Sequence, residues 1–120
     1  MRYRHFNVIT TECFDEWFLA QTDELRESVY EAMGILEKFG PGLGRPYVDT
    51  LNGSDFANMK EMRIQHCGNP VRAFFAFDPT RRAIILCAGD KTGTNEKRFY
   101  KDMIRLADSE YRKHLAKLER

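Results

Sequence analysis

Three cations stand in segments that otherwise read as β-strands. They are Arg63, Arg72 and Lys91, all within the stretch 58–93, NMKEMRIQHCGNPVRAFFAFDPTRRAIILCAGDKTG. A strand cation that faces a core is costly unless an anion meets it, so several in one short sheet point to a phosphate or carboxylate site. If His66 to Asn69 is a four-residue hairpin loop, Gln65 pairs with Pro70, and Arg63 then lies directly opposite Arg72. Two like charges face to face destabilise an empty sheet, which implies a carboxylate partner such as Glu61 or a bound anion. A loop one residue longer would put the arginines on opposite faces. No G-x-x-x-x-G-K-[ST], G-x-S-x-G or H-E-x-x-H motif is present. His5, His66 and His114 are too scattered for a metal set.

The elements that must position these cations follow from periodicity. Tyr3 to Ile9 reads as an opening strand, with Thr10 or Thr11 leading into a short helix that carries Phe14, Trp17 and Phe18 on one side. Thr22 caps a second helix, whose Leu25, Val29, Met33 and Leu36 repeat every three to four residues before Gly40-Pro41 ends it. Tyr47 to Leu51 is a short strand before the Asn52-Gly53 turn. Asn58 to Gln65, Val71 to Phe77 and Arg82 to Ala88 are the strands of the sheet. In the second of these, Val71, Ala73, Phe75 and Phe77 make one face apolar, and Arg72 shares the other with Phe74 and Ala76. The reading places the first face against helices and leaves the arginine's face open. Gly89, Asp90, Lys91 and Gly93 form the next turn. Thr94 is expected to cap a terminal helix buried through Phe99, Met103, Leu106, Tyr111, Leu115 and Leu118. The fold class is α+β, a small and mainly antiparallel sheet with two N-terminal helices and one C-terminal helix.

Length and composition set the frame. One domain spans residues 1–120, enough chain to remove roughly two-thirds of its unfolded surface from water. The longest apolar run, Ala83 to Ala88, is too short for a membrane, and the N-terminal residues do not read as a signal peptide, so a cytoplasmic location is expected. Cys13, Cys67 and Cys87 form no C-x-x-C pair and read as reduced thiols. Charge is uneven: residues 1–57 hold 5 Lys/Arg against 10 Asp/Glu, and residues 58–120 hold 14 against 8. A basic half that coincides with the cation-bearing strands suits nucleic acid or an acidic protein, as well as a merely solvated helix.

Four motifs in series, R-P-Y-V-D-T-L-N-G-S (45–54), K-E-M-R (60–63), V-R-A-F-F-A-F-D-P (71–79) and A-G-D-K-T-G (88–93), resemble the HigB toxins, a phage-derived branch of the RelE/ParE toxin superfamily. The resemblance covers nearly the whole chain in the expected order. It implies a RelE-like fold and a ribosome-dependent messenger-RNA endonuclease that needs no metal or other cofactor. It also implies a helix-turn-helix, HigA-like antitoxin as partner, beside the ribosome and mRNA. Attack by the RNA's own 2′-hydroxyl requires a base, cations for the phosphorane and a donor for the leaving 5′-oxygen. By the resemblance Arg72 and Lys91 stand at the family's phosphate-binding positions, with Arg63 near the same face. Lys60, Arg82, Lys97 and Tyr100 are candidates for RNA contact, and Tyr100 for stacking or proton transfer.

The chain departs from the family at one position: by the resemblance, RelE-type enzymes carry a lysine where Glu61 stands here. Glu61 or His66 are the candidate bases, or the site relies on charge and on positioning by the ribosome. The competing reading for Arg72 is a surface salt bridge with Glu61 or with an acidic helix residue. Arg72→Ala is expected to abolish cleavage and leave the fold intact. Two other functions share the fold: a ParE-like DNA gyrase inhibitor, and a noncatalytic antitoxin-binding relative.

Overall fold

The computed structural model describes residues 6–120. Its elements are β1 (Val8–Thr10), α1 (Glu12–Leu19), α2 (Asp23–Phe39), a 3-10 turn (Gly40–Gly42), β2 (Val48–Thr50), β3 (Lys60–His66), β4 (Asn69–Phe77), β5 (Ala83–Asp90) and α3 (Glu96–Leu118). They form one five-stranded sheet in the order β1-β5-β4-β3-β2, with β1 parallel to β5 and the other pairs antiparallel. This is the expected α+β outline. The opening strand begins at Val8, and Tyr3 to His5 of the expected strand lie outside the described residues.

Local chemistry sets the helix starts. Thr11 and Thr22 accept hydrogen bonds from the Phe14 and Leu25 N–H groups, and acidic residues occupy both first turns. At α3 the cap is Asn95, not Thr94. The Asn95 side chain accepts from the Arg98 N–H, while the Thr94 hydroxyl is taken by the Lys91 carbonyl at 2.7 Å and closes the preceding turn.

The β3–β4 register is the expected one, with Gln65 opposite Pro70 and Arg63 opposite Arg72. The hairpin is tighter than a four-residue loop, since His66 also pairs with Asn69. That leaves Cys67 and Gly68 as its centre, both with positive φ (50° and 78°), the requirement of a two-residue turn whose twist matches the strands. This turn fixes which side chains share the arginines' face.

Helices cover both faces of the sheet. On one side Met62, Ile64, Val71, Ala73, Phe75 and Ile85 pack against Phe14 of α1 and Leu25, Val29 and Leu36 of α2. On the other, Phe74, Ala76, Ile84 and Leu86 pack against Ile104, Ala107 and Tyr111 of α3. Fully burying a side chain of this size stabilises by about 1.5–3 kcal/mol, so Phe74 alone demands a cover. The expectation of an open face is therefore corrected: Phe74 and Ala76 share Arg72's face, and α3 closes over all three. Within α3, Leu106 points outward at 39% exposure, contrary to its expected burial, and Ile104, Ala107 and Asp108 take the inner stripe.

A bulge in β5 keeps both cores in phase. Phe74 pairs with Cys87 and Phe75 with Ile85, so Leu86 is the extra residue, and it joins Cys87 on the α3 side. Gly89 stands opposite Arg72, and a Cβ there would meet the Phe99 ring at 3.2 Å. The missing side chain lets the first turns of α3 settle against the end of the sheet that carries the cations.

Candidate functional site

Strand alternation puts Glu61, Arg63 and Arg72 on one face, and α3 brings Tyr100 down onto them. Arg72 is 3% exposed and Glu61 7%. The Arg72 Nε lies 3.1 Å from Glu61 Oε1, but its N–H is not aimed at that oxygen and has no hydrogen-bond acceptor, so the contact is a charge pair without a directed bond. Its Nη1 donates to the Val71 carbonyl at 3.1 Å. Tyr100 donates its hydroxyl to the same Glu61 oxygen at 2.6 Å. Burial, and then the Glu61 carboxylate, push the Tyr100 hydroxyl up to about 12, with Arg72 opposing. Tyr100 therefore keeps its proton at neutral pH.

The ring of Tyr100 is held edge-on by Phe74 and Phe99, with centroids 6.1 and 5.5 Å away. Lys91 sits over its other side, with Nζ 5.3 Å from the centroid and 2.6 Å from Glu96 Oε1. Lys91 owes this place to its backbone N–H, which extends the ladder by donating to the Pro70 carbonyl at 3.1 Å. Arg63 is half-buried, and no carboxylate of the described residues forms an ion pair with it. Glu61, Arg63, Lys91 and Tyr100 all line one open cleft of about 330 Å³, whose rim includes Arg45, Asp49 and Asn52. Such a cleft offers a carboxylate acceptor, a neutral hydroxyl donor and two cations around a space of the size of a phosphodiester.

Other candidates stand elsewhere. Arg72 backs the cleft rather than lining it, because α3 and Glu61 enclose its guanidinium. His66 shares strand parity with Met62 and Ile64, so it faces α2, where Nδ1 lies 3.1 Å from Ser28 Oγ. It cannot serve as base at Glu61's cleft. Lys60 has the same parity and donates to Thr50 Oγ1 at 3.2 Å. Arg82 is at the far end of β4 and β5, 3.3 Å from Asp78 Oδ2. Lys97 is exposed on α3 along a neighbouring groove that it shares with Tyr100. Among the described residues no group of three His, Cys, Asp or Glu side chains could hold a metal ion.

Sequence reasoning did not single out the rim pair Arg45 and Asp49. They are joined at 2.7 Å, and the hydrogen bond from Arg45 holds the Asp49 carboxyl below its usual range. Their spacing of four residues across the start of β2 was the available signal.

A family described as phage-derived protein Gp49-like matches residues 16–112, which span every residue of the cleft. A Mycobacterium tuberculosis toxin candidate, HigB3, is 46% identical over 109 residues, covering 91% of this chain and 93% of that protein. A second from the same organism, HigB2, is 43% identical over 109 residues and covers 90% of this chain, which spans 54% of that relative's length. Among solved structures, a double mutant of the E. coli toxin RelE in the free state superposes with a TM-score of 0.56 at 10% identity, over 73% of this chain and 85% of that one. The archaeal RelE–RelB complex from Pyrococcus horikoshii OT3 gives 0.54 at 14% identity, over 75% and 99%. The last two show a shared fold.

Proposed function

Because the chain belongs to the Gp49-like family, and is a HigB-type toxin of the RelE superfamily, we propose that it inhibits translation by cutting messenger RNA on the ribosome. The observation that carries this reading is the Glu61–Tyr100 hydrogen bond at the floor of a cleft flanked by Arg63 and Lys91. Glu61 takes the proton of the RNA 2′-hydroxyl as the 2′-oxygen bonds to phosphorus. Arg63 and Lys91 stabilise the dianionic phosphorane. As the bond from phosphorus to the 5′-oxygen breaks, Tyr100 gives that oxygen its proton and recovers one from Glu61. The products are a 2′,3′-cyclic phosphate and a free 5′-hydroxyl, and the protein returns to its starting protonation state. Arg72 acts as a positioning residue, its charge fixing Glu61 from behind. The reaction needs no group beyond these side chains and a ribosome that aligns the strand.

The partner that silences this activity is a helix-turn-helix antitoxin of the HigA type. The solved RelE–RelB complex supports an antitoxin partner in this superfamily.

In-vitro translation followed by primer extension tests the proposal. Cuts within codons are expected only when ribosomes are present. Intact RNA accompanied by loss of DNA supercoiling would overturn it in favour of gyrase inhibition. Arg63→Gln is expected to slow cutting about 10²–10³-fold, the effect of removing one donor to a transition-state oxyanion.

A further inference from the structure

The cleft continues into a groove of about 580 Å³ between α3 and residues 52–55, the two sharing Asn52, Tyr100 and Ile104. Lys97, Lys101 and Arg105 line it at spacings of four, which puts them on one face of the helix and about 6 Å apart along its axis. With Arg98 they also line an adjoining hollow of about 530 Å³. All four are exposed, and none is paired with a carboxylate of the described residues, whereas Arg45, Arg82, Lys91, Arg112 and Lys113 each are. Four cations that no carboxylate of the described residues pairs thus stand within nine residues of one helix that starts at the cleft.

The far wall of the groove is fixed in place. Asp108, buried in α3, accepts from Ser54 Oγ at 2.5 Å and from the Asp55 N–H at 2.9 Å, and Arg112 pairs with Asp55. Both acids on the groove are therefore already engaged. Asp102, in the hollow, is the remaining counter-charge against four cations. A row of cations at the pitch of a helical turn suits a chain of phosphates better than a single anion.

Resting on the nuclease reading above, we propose that this stripe is a track for the single-stranded RNA substrate, holding the phosphates that lead away from the scissile bond through Lys97, Lys101 and Arg105. The contacts are to backbone charge, so the track sets affinity and direction without reading sequence.

The test compares the full chain with its Lys101→Glu/Arg105→Glu and Lys101→Gln/Arg105→Gln variants, using anisotropy of a short fluorescein-labelled single-stranded RNA over a salt series. For the glutamine pair, two lost phosphate contacts should make the plot of log affinity against log salt shallower by about 1.4. The glutamate pair should bind at least as weakly, and both variants should cut ribosome-bound mRNA at unchanged positions but more slowly. The glutamine pair keeps the test valid if the charge reversal does not fold. Unchanged binding and slope would overturn the track. So would unchanged binding accompanied by weaker pelleting with ribosomes, which would make the stripe a contact for ribosomal RNA. Unchanged RNA binding with escape from the antitoxin would overturn it too, in favour of an acidic protein partner. If the wild type binds RNA along the stripe yet never cuts mRNA, the nuclease reading fails and the track stands.

Discussion

The α3-covered face of the sheet carries two carboxylate networks, one at each end, and they are built from the same kinds of parts. At the β4–β5 turn, Asp78 is fully enclosed and accepts from the Thr80 N–H and hydroxyl, the Arg82 N–H and guanidinium, and faces His114 Nε2 at 2.8 Å. At the other end Glu61 accepts one well-aimed bond, from Tyr100, beside an arginine whose N–H points past it. A saturated carboxylate has no capacity left for a substrate, and its role is to pin α3 to the turn. An undersaturated one, opening on a cleft beside Arg63, with which no carboxylate of the described residues forms an ion pair, keeps acceptor capacity free, which is what the base proposed at Glu61 requires. The number and aim of the donors, rather than burial or residue type, distinguish the enclosed network from the one that opens on the cleft.

The largest expected effect comes from Glu61→Gln, which should lower the cleavage rate by about 10²–10⁴-fold, the contribution of a lost general base. Asp78→Asn, chosen for comparison, should leave the rate near wild type below its melting temperature. Equal losses from the two variants in a translation assay would erase the distinction between the ends. Next in size, Arg72→Met strands Glu61 as a buried unpaired charge and should cost about 3–5 kcal/mol in urea unfolding. This replaces the sequence-based expectation that Arg72→Ala leaves the fold intact. Arg72→Lys should restore much of that stability but not the rate, with the loss in kcat rather than KM, as befits a residue that positions Glu61.

Asp78→Asn itself should cost about 1–3 kcal/mol, because its donors lose a charged acceptor. Burial alone would raise the Asp78 carboxyl, but the bonds from His114, Arg82 and Thr80 outweigh it and hold the group well below the usual carboxylate range. A depressed folded-state value means that the stabilisation is complete above the ordinary carboxylate range and is lost as pH falls from that range toward the folded value. Acid unfolding of the wild type should therefore begin below about pH 4, and Asp78→Asn should flatten that limb. The smallest effect is spectroscopic. Tyr100, raised to about 12, favours the folded state below the ordinary tyrosine value and loses that contribution between about pH 10 and 12. Ultraviolet titration should show one late-ionising tyrosine that disappears in Tyr100→Phe, and a normal midpoint would detach Tyr100 from Glu61.

Much of the site was readable in the chain. The strand pattern placed Arg63 against Arg72 once the hairpin loop length was assumed, but that reading puts His66 in the loop and among the candidate bases. Only the tighter turn carries β3 on to His66 and sets it on the α2 side with Met62 and Ile64. Arg72's burial also left a trace: Phe74 and Ala76 share its face, and a face carrying a buried phenylalanine needs a cover. What the pattern could not say is how far that cover extends. Lys60 and Arg82 looked like further RNA contacts because basic residues near a strand all read alike until the far end and the opposite face of the sheet are known.

The sequence by itself determined the order of elements and the family, and tied the β3–β4 register to the length of one hairpin loop, since periodicity and caps act over a few residues and motifs are local. Only the tertiary structure decided that α3 seals Arg72 against Glu61, brings Tyr100 onto the same oxygen, and leaves Arg63 and Lys91 as the half-buried cations that line the cleft. That choice depends on contacts between residues some 40 positions apart in the chain, Glu61 and Tyr100 among them, and on where packing against Gly89 and Phe74 stops the helix. No local pattern carries that information.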